Sequence, residues 1–193
     1  MLAAERLIAE RGADVSLRDI AVAAGQRNNS AVHYHFGSRH DLIDAIVEHR
    51  VAALESQRLE LLAEREADGV ADDVRGLLSV LVEPMFEVPY RQGATHYARF
   101  LEQVRSHPAL SDRTNLTTRR RPAIRVIIAR LGRLLDDVDE ATRNRRLQSL
   151  PTVLFALLAD HERGAEAGPE SADELVDMLT GLLTAPVSAV VKQ

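Results

Sequence analysis

Apolar residues recur at three- and four-residue intervals over most of this chain, the spacing of helices with one buried face. Ala3, Ala4, Leu7 and Ile8 give a first helix over 2–11, ended by Gly12. Leu17, Ile20, Ala21 and Ala24 give a second. Ser16, with Asp19 three residues on, is a capping-box-like start, since a side-chain oxygen there accepts from orphan backbone N–H groups. Gly25 suits a left-handed exit, and the alanine-rich face admits a close neighbour. A polar run, Gln26-Arg27-Asn28-Asn29-Ser30, then interrupts the pattern. It leads through Ala31 and Val32 into His33-Tyr34-His35-Phe36, with Gly37 closing the segment. The expected form is a third helix starting near Asn28 or Asn29, set across a short corner from the second.

Beyond Gly37 the helical spacing becomes longer-ranged. Ser38 with Asp41 starts a helix carrying Leu42, Ile43, Ile46, Val47, Val51 and Leu54, which should reach about Arg65. A break at 66–70 precedes a helix over 71–88, where Val74, Leu77, Leu78, Leu81, Val82, Met85 and Phe86 face inward. Pro84 is expected to kink it or end it early. Further helices are predicted over 94–106, over 111–135 with Pro122 as a kink or second start, over 140–163 with a perturbation at Pro151, and over 171–185. The last two carry wide stripes: Leu150, Val153, Leu154, Leu157 and Leu158 on one, Leu175, Met178, Leu179, Leu182 and Leu183 on the other. Such a hairpin predicts a four-helix interface between two copies, with ordinary core as the competing use of each stripe. The domain division expected is 1–46 and 47–193.

Composition narrows the class. The 193 residues are 46% apolar, enough for a proper core, and Ala, Leu, Arg and Glu dominate, which favours an all-helical fold. Cysteine is absent, which excludes disulfides and thiolate metal sites. No apolar run approaches the ~20 residues of a membrane span, so a cytoplasmic protein is expected. The net charge of −5 argues against indiscriminate polyanion binding. Residues 15–40 nevertheless hold Arg18, Arg27 and Arg39 against Asp19 alone, a local positive patch.

That patch coincides with the polar corner. Asn pairs bidentately with adenine and Arg with guanine in a groove about 12 Å wide. The His33, Tyr34 and His35 side chains suit phosphate oxygens. The segment resembles the DNA-binding domain of the TetR (tetracycline-repressor) family of bacterial transcription regulators. The matching residues run from Leu7-Ile8-Ala9-Glu10-Arg11-Gly12, through Leu17-Arg18-Asp19-Ile20-Ala21 and Ala24-Gly25, to Tyr34-His35-Phe36 and Ser38-Arg39. The turn holds one residue more than the family pattern, so Arg27, Asn28, Asn29 and Ser30 all stand as candidates for base contact. By resemblance, Ser16, His33, Tyr34, His35 and Arg39 fall at or beside positions that touch phosphate, and Arg18 of the positive patch is a further candidate for DNA contact. The resemblance implies an N-terminal helix-turn-helix domain joined to a helical bundle for dimerisation and ligand binding. It implies a homodimeric regulator, a repressor released by a small-molecule effector, on a near-palindromic double-stranded operator. The competing reading is a helical protein-interaction scaffold whose DNA head no longer works.

Other chemistry is sparse. His33 and His35, two apart on a helix, point in different directions, so no metal is expected there or at nearby His40. Met85, Phe86, Tyr90, His96, Tyr97, Phe100 and Phe155 are the candidates for an apolar ligand pocket. Residues 113–133 carry seven arginines and no acid, either a solvated or acid-paired face or an attractant for an acidic effector. No phosphate loop, nucleophile elbow or H-E-x-x-H motif occurs, and neither catalysis nor a cofactor is expected.

Overall fold

The computed structural model describes residues 1–26, 30–67, 69, 73–90, 96–111, 121–164 and 168–187. Among the described residues every regular element is an α-helix: α1 (Leu2–Arg11), α2 (Leu17–Ala23), α3 (Ser30–Phe36), α4 (Arg39–Ala67), α5 (Val74–Tyr90), α6 (Tyr97–Gln103), α7 (Pro108–Ser111), α8 (Pro122–Leu134), α9 (Glu140–Arg163) and α10 (Ala172–Thr184). The all-helical expectation holds.

Helix starts follow side-chain chemistry. Ser16 Oγ accepts from the Asp19 N–H at 3.1 Å. The reciprocal box opens α4: Asp41 N donates to Ser38 Oγ and Ser38 N donates to Asp41 Oδ2, both at 3.1 Å. Asp139 and Ser171 cap α9 and α10 in the same way. Pro122 is a second start rather than a kink. It occupies the first turn of α8, where its missing N–H leaves nothing unpaired. The next two N–H groups, of Ala123 and Ile124, donate to the buried Glu55 carboxylate of α4 at 2.7 and 3.3 Å.

Pro84 does not end its helix. The α5 backbone runs through Pro84 and on to Tyr90. It is gripped by α4, α8 and α10, so tertiary packing holds the backbone against the lost hydrogen bond. The buried Arg58 of α4 donates from Nε and Nη2 to the Leu81 carbonyl at 3.2 and 2.9 Å. That carbonyl adjoins Val80, whose usual donor would be the N–H that Pro84 lacks.

One continuous apolar interior joins head and body. In the head, Ala4, Leu7, Ile8, Val15, Ile20, Ala21, Leu42, Ile43, Ile46 and Val47 are buried. Ala3 is half-buried and Ala24 exposed, because α2 has already ended at Ala23. Helix α1 also packs against α6 of the body. The Glu5 carboxylate receives Arg50 Nε and Nη2 at 3.0 and 2.9 Å, and the Arg50 guanidinium lies 5.2 Å from the centre of the Tyr97 ring. Helix α4 crosses residue 46 without interruption, so head and body share one rod.

Candidate nucleic-acid interface and ligand cavity

The head presents α3 between two glycine corners. At the end of α2 the Gly25 N–H donates to Val22 O and the Gln26 N–H to Ala21 O, both at 3.0 Å. This double closure needs a left-handed residue, and Gly25 has φ 69°. Gly37, at φ 71°, turns the chain from α3 into α4. Phe36 packs against the head core, while His33, Tyr34 and His35 face solvent. Tyr34 is 87% exposed, and its ring meets His35 edge-on at 5.7 Å between centroids. An exposed aromatic of this size has no role in the head's own packing.

Around it, Arg18 is exposed on α2 and Ser16 sits at the α2 cap with its oxygen near Asp19. Arg39, at the first turn of α4, is half-exposed and pairs with Asp14 at 3.1 Å. Arg27, Asn28 and Asn29 lie outside the described residues. Ser30 supplies the first residue of α3, and its side chain is likewise outside them. What the geometry assembles is a short solvent-facing helix with hydroxyl and imidazole groups, flanked by Arg18 and Arg39.

The comparisons bear on both halves of the chain. The family model for bacterial regulatory proteins, tetR family, matches residues 1–46. The model for the tetracyclin repressor-like C-terminal domain matches residues 79–186, more than half the chain. The chain belongs to the TetR family. No curated protein matches it. Family membership makes the protein a DNA-binding transcriptional regulator. No helix among the described residues is long and apolar enough to cross a membrane.

In this TetR-family body a cavity of about 190 Å³ lies between α4, α5, α6, α8 and α9. Of the residues expected to line it, Met85, Tyr97 and Phe155 do. Phe86 does not: its ring packs on His161 at 4.4 Å. His96 turns toward Glu10, 3.7 Å away, and Phe100 is fully buried in the core. The Tyr90 side chain lies outside the described residues. The remaining wall is aliphatic, with Val51, Leu54, Leu101 and Ile128 among its residues, and polar groups gather at a few points.

Sequence reading named Arg121 only as one of the 113–133 run, and it missed Arg58. Buried Arg121 donates from Nη1 to Ala109 O at 2.9 Å and from Nη2 to Glu48 at 2.8 Å, while its Nε has no partner among the described residues. Burial pulls the Arg58 pKa down to about 10 and pushes the Tyr97 hydroxyl up to about 12. The signal for Arg58 was present: it falls within the stripe Val47, Val51, Leu54, Arg58, Leu62, where an apolar residue is due. Of the remaining arginines in the 113–133 run, Arg130 pairs with Glu66 of α4, and Arg113, Arg119 and Arg120 lie outside the described residues.

The last two helices require a correction. Leu150, Leu154 and Leu158 on α9, and Leu175, Leu179 and Leu183 on α10, are buried inside the single chain. They pack into the body and have no surface to offer a second copy. Of the expected interface, Val153, Leu157 and Leu182 are half-buried and Met178 is 44% exposed. These four form one i, i+4 pair on each helix.

Proposed function

We propose that this regulator is a repressor that binds a near-palindromic operator as a dimer and is released by a small-molecule effector. The observation that carries the reading is the shared wall: α4 holds the head at one end and lines the cavity with Val51, Leu54 and Arg58 further along. Two cavity residues are tied back to head-bearing elements, Arg121 to Glu48 of α4 and Tyr97, through Arg50, to Glu5 of α1. A ligand that competes for Arg121 or displaces Tyr97 shifts these contacts. A coupling of ~1–3 kcal/mol is enough to switch a regulator. The lining favours an apolar compound with one hydrogen-bond-accepting or anionic end, for which Arg121 Nε, without a partner among the described residues, is the natural donor.

Selection of bound fragments from genomic DNA supplies the operator. Gel shifts are then repeated with a panel of aliphatic and aromatic carboxylates and the matching alcohols. The expected result is a selected site with half-sites about 34–36 Å apart or further, and release by at least one carboxylate. A promoter fusion to that site should fire less when the protein is present. Failure to enrich any fragment would favour the interaction-scaffold reading, whereas enrichment without release would overturn the effector assignment.

The dimer surface in this reading is the remaining Val153–Leu157 and Met178–Leu182 face. Leu157→Glu combined with Met178→Glu is expected to give a monomer by light scattering at micromolar concentration. Its melting temperature, extrapolated to low protein concentration, should stay close to that of the parent, because neither side chain is fully buried. A double variant that remains dimeric places the interface elsewhere.

A further inference from the structure

The sequence separates His40 from His107 by 67 positions, and folding brings their rings together. His40 Nδ1 and His107 Nε2 lie 2.9 Å apart, and the ring centroids are separated by 4.1 Å. Asp44, one turn along α4 from His40, lies 3.8 Å from His40 Nε2 and 3.6 Å from His107 Nδ1. One ring nitrogen of each histidine and one carboxylate oxygen of Asp44 lie within 4.8 Å of one another. We propose that His40, Asp44 and His107 form a binding site for a divalent transition-metal ion, zinc first among them, bridging the DNA-binding head to the body.

The donor set fits such an ion. Imidazole suits zinc, and two histidines with one carboxylate make a familiar three-ligand set that leaves the fourth place to water. Hard cations such as magnesium prefer all-oxygen shells and are poorly served here. The i, i+4 spacing of His40 and Asp44 puts both on one face of α4. His107 is the fixed member: its side chain is 9% exposed, and its backbone N–H donates to Val104 O at 2.8 Å in the turn between α6 and α7. His40 and Asp44 are roughly half-exposed and free to turn about their side-chain bonds. Such a turn closes the group to the roughly 3.3 Å between ligands of a tetrahedral ion held at ~2.0–2.1 Å. Beside the group, a cavity of about 460 Å³ between Ala13, Ser38, Ile43, Gln103 and Pro108 leaves room for water ligands. Arg39, the nearest cation in sequence, also lines that cavity, and its charge is paired with Asp14 at 3.1 Å. Two donors belong to α4 and the third to the α6–α7 turn, so a bound ion cross-links the rod of the head to the body.

The test is zinc chloride titrated into metal-stripped full-length protein, followed by calorimetry and thermal melting. One ion per chain is expected, with Tm rising by roughly 5–10 °C at about a hundredfold excess over Kd. His107→Gln and His40→Gln should each weaken binding about tenfold or more while the metal-free proteins melt near the parent temperature. The His33→Gln, His35→Gln double variant should bind as the parent does, since those rings lie on the exposed face of α3. Cobalt(II) in place of zinc should give the strong visible bands of tetrahedral nitrogen and oxygen ligation, and these bands vanish in His107→Gln. The assignment is overturned if the parent shows neither heat nor a Tm shift, if His107→Gln binds like the parent, or if the α3 double variant abolishes binding.

Discussion

Replacing His33 and Tyr34 together by alanine is expected to lower operator affinity by roughly tenfold to a hundredfold and to leave the melting temperature nearly unchanged. Both side chains face solvent on α3, and Tyr34 is 87% exposed, so their removal takes little from the apolar core. Exposed substitutions of this kind change stability by about 0.5 kcal/mol or less. Each lost contact to a phosphate or sugar oxygen is worth ~1 kcal/mol, and two of them compound to the stated range. Neither side chain is a permanent cation as an arginine is, so the dependence of affinity on salt should hold its slope. Arg39→Ala should behave differently. If its guanidinium leaves Asp14 for a phosphate, its loss weakens all sequences alike and flattens the logarithmic salt slope by about 0.9. Fluorescence anisotropy at several salt concentrations separates the two behaviours. Undiminished affinity in the His33, Tyr34 variant would remove α3 from the interface.

The head was the legible part because its punctuation is chemical. Ser16 with Asp19, Gly25, Gly37, and Ser38 with Asp41 each mark a backbone position whose hydrogen bonds or dihedral angles admit few residue types, and the structure uses each in the expected way. The body was legible as helices but not as surfaces. A wide apolar stripe does not state which of its edges faces inward. Leu150, Leu154 and Leu158, spaced by four, turned to the chain's own interior and left Val153 and Leu157 beside them nearer the surface. The cavity was legible only in part, through Met85, Tyr97 and Phe155, for a related reason. Aromatic character marks Phe86 and Phe100 as candidate lining, but large rings fill space, and Phe100 is fully buried. Open volume remained where aliphatic side chains meet two arginines held by backbone carbonyls, Arg58 by Leu81 and Arg121 by Ala109. The partner of each arginine is distant in the chain, and no local spacing rule reaches that far. The His40–His107 pair was out of reach on the same ground.

Glu55→Ala is expected to cost roughly 3–5 kcal/mol of stability, the largest effect of any single change considered. Glu55 is 4% exposed and serves two neighbours at once. It accepts the N–H groups of Ala123 and Ile124, which no preceding turn of α8 can satisfy, and it lies 3.8 Å from the buried Arg58 guanidinium. Alanine strands two buried or half-buried donors and takes from Arg58 the carboxylate that helps to offset its charge, leaving its hydrogen bonds to the Leu81 carbonyl. Burial already opposes that charge, which is why its pKa falls to about 10. For a chain of this size the loss corresponds to a Tm drop of roughly 10 °C or more. Glu55→Gln keeps one acceptor oxygen for the helix start and should fall between the two. Arg58→Met removes the charge with little change in volume, so adding Glu55→Gln to it should cost less than Glu55→Gln alone. The double-mutant cycle is therefore expected to show a coupling above about 0.5 kcal/mol. Strict additivity, or a Glu55→Ala protein that melts with the parent, would mean that the carboxylate neither caps α8 nor balances Arg58. Arg58 lines the cavity, so the same series also varies the charge of the wall that an effector would meet. Arg58→Met should fold well yet bind anionic ligands more weakly, which separates the structural role of Glu55 from the recognition role of the arginines.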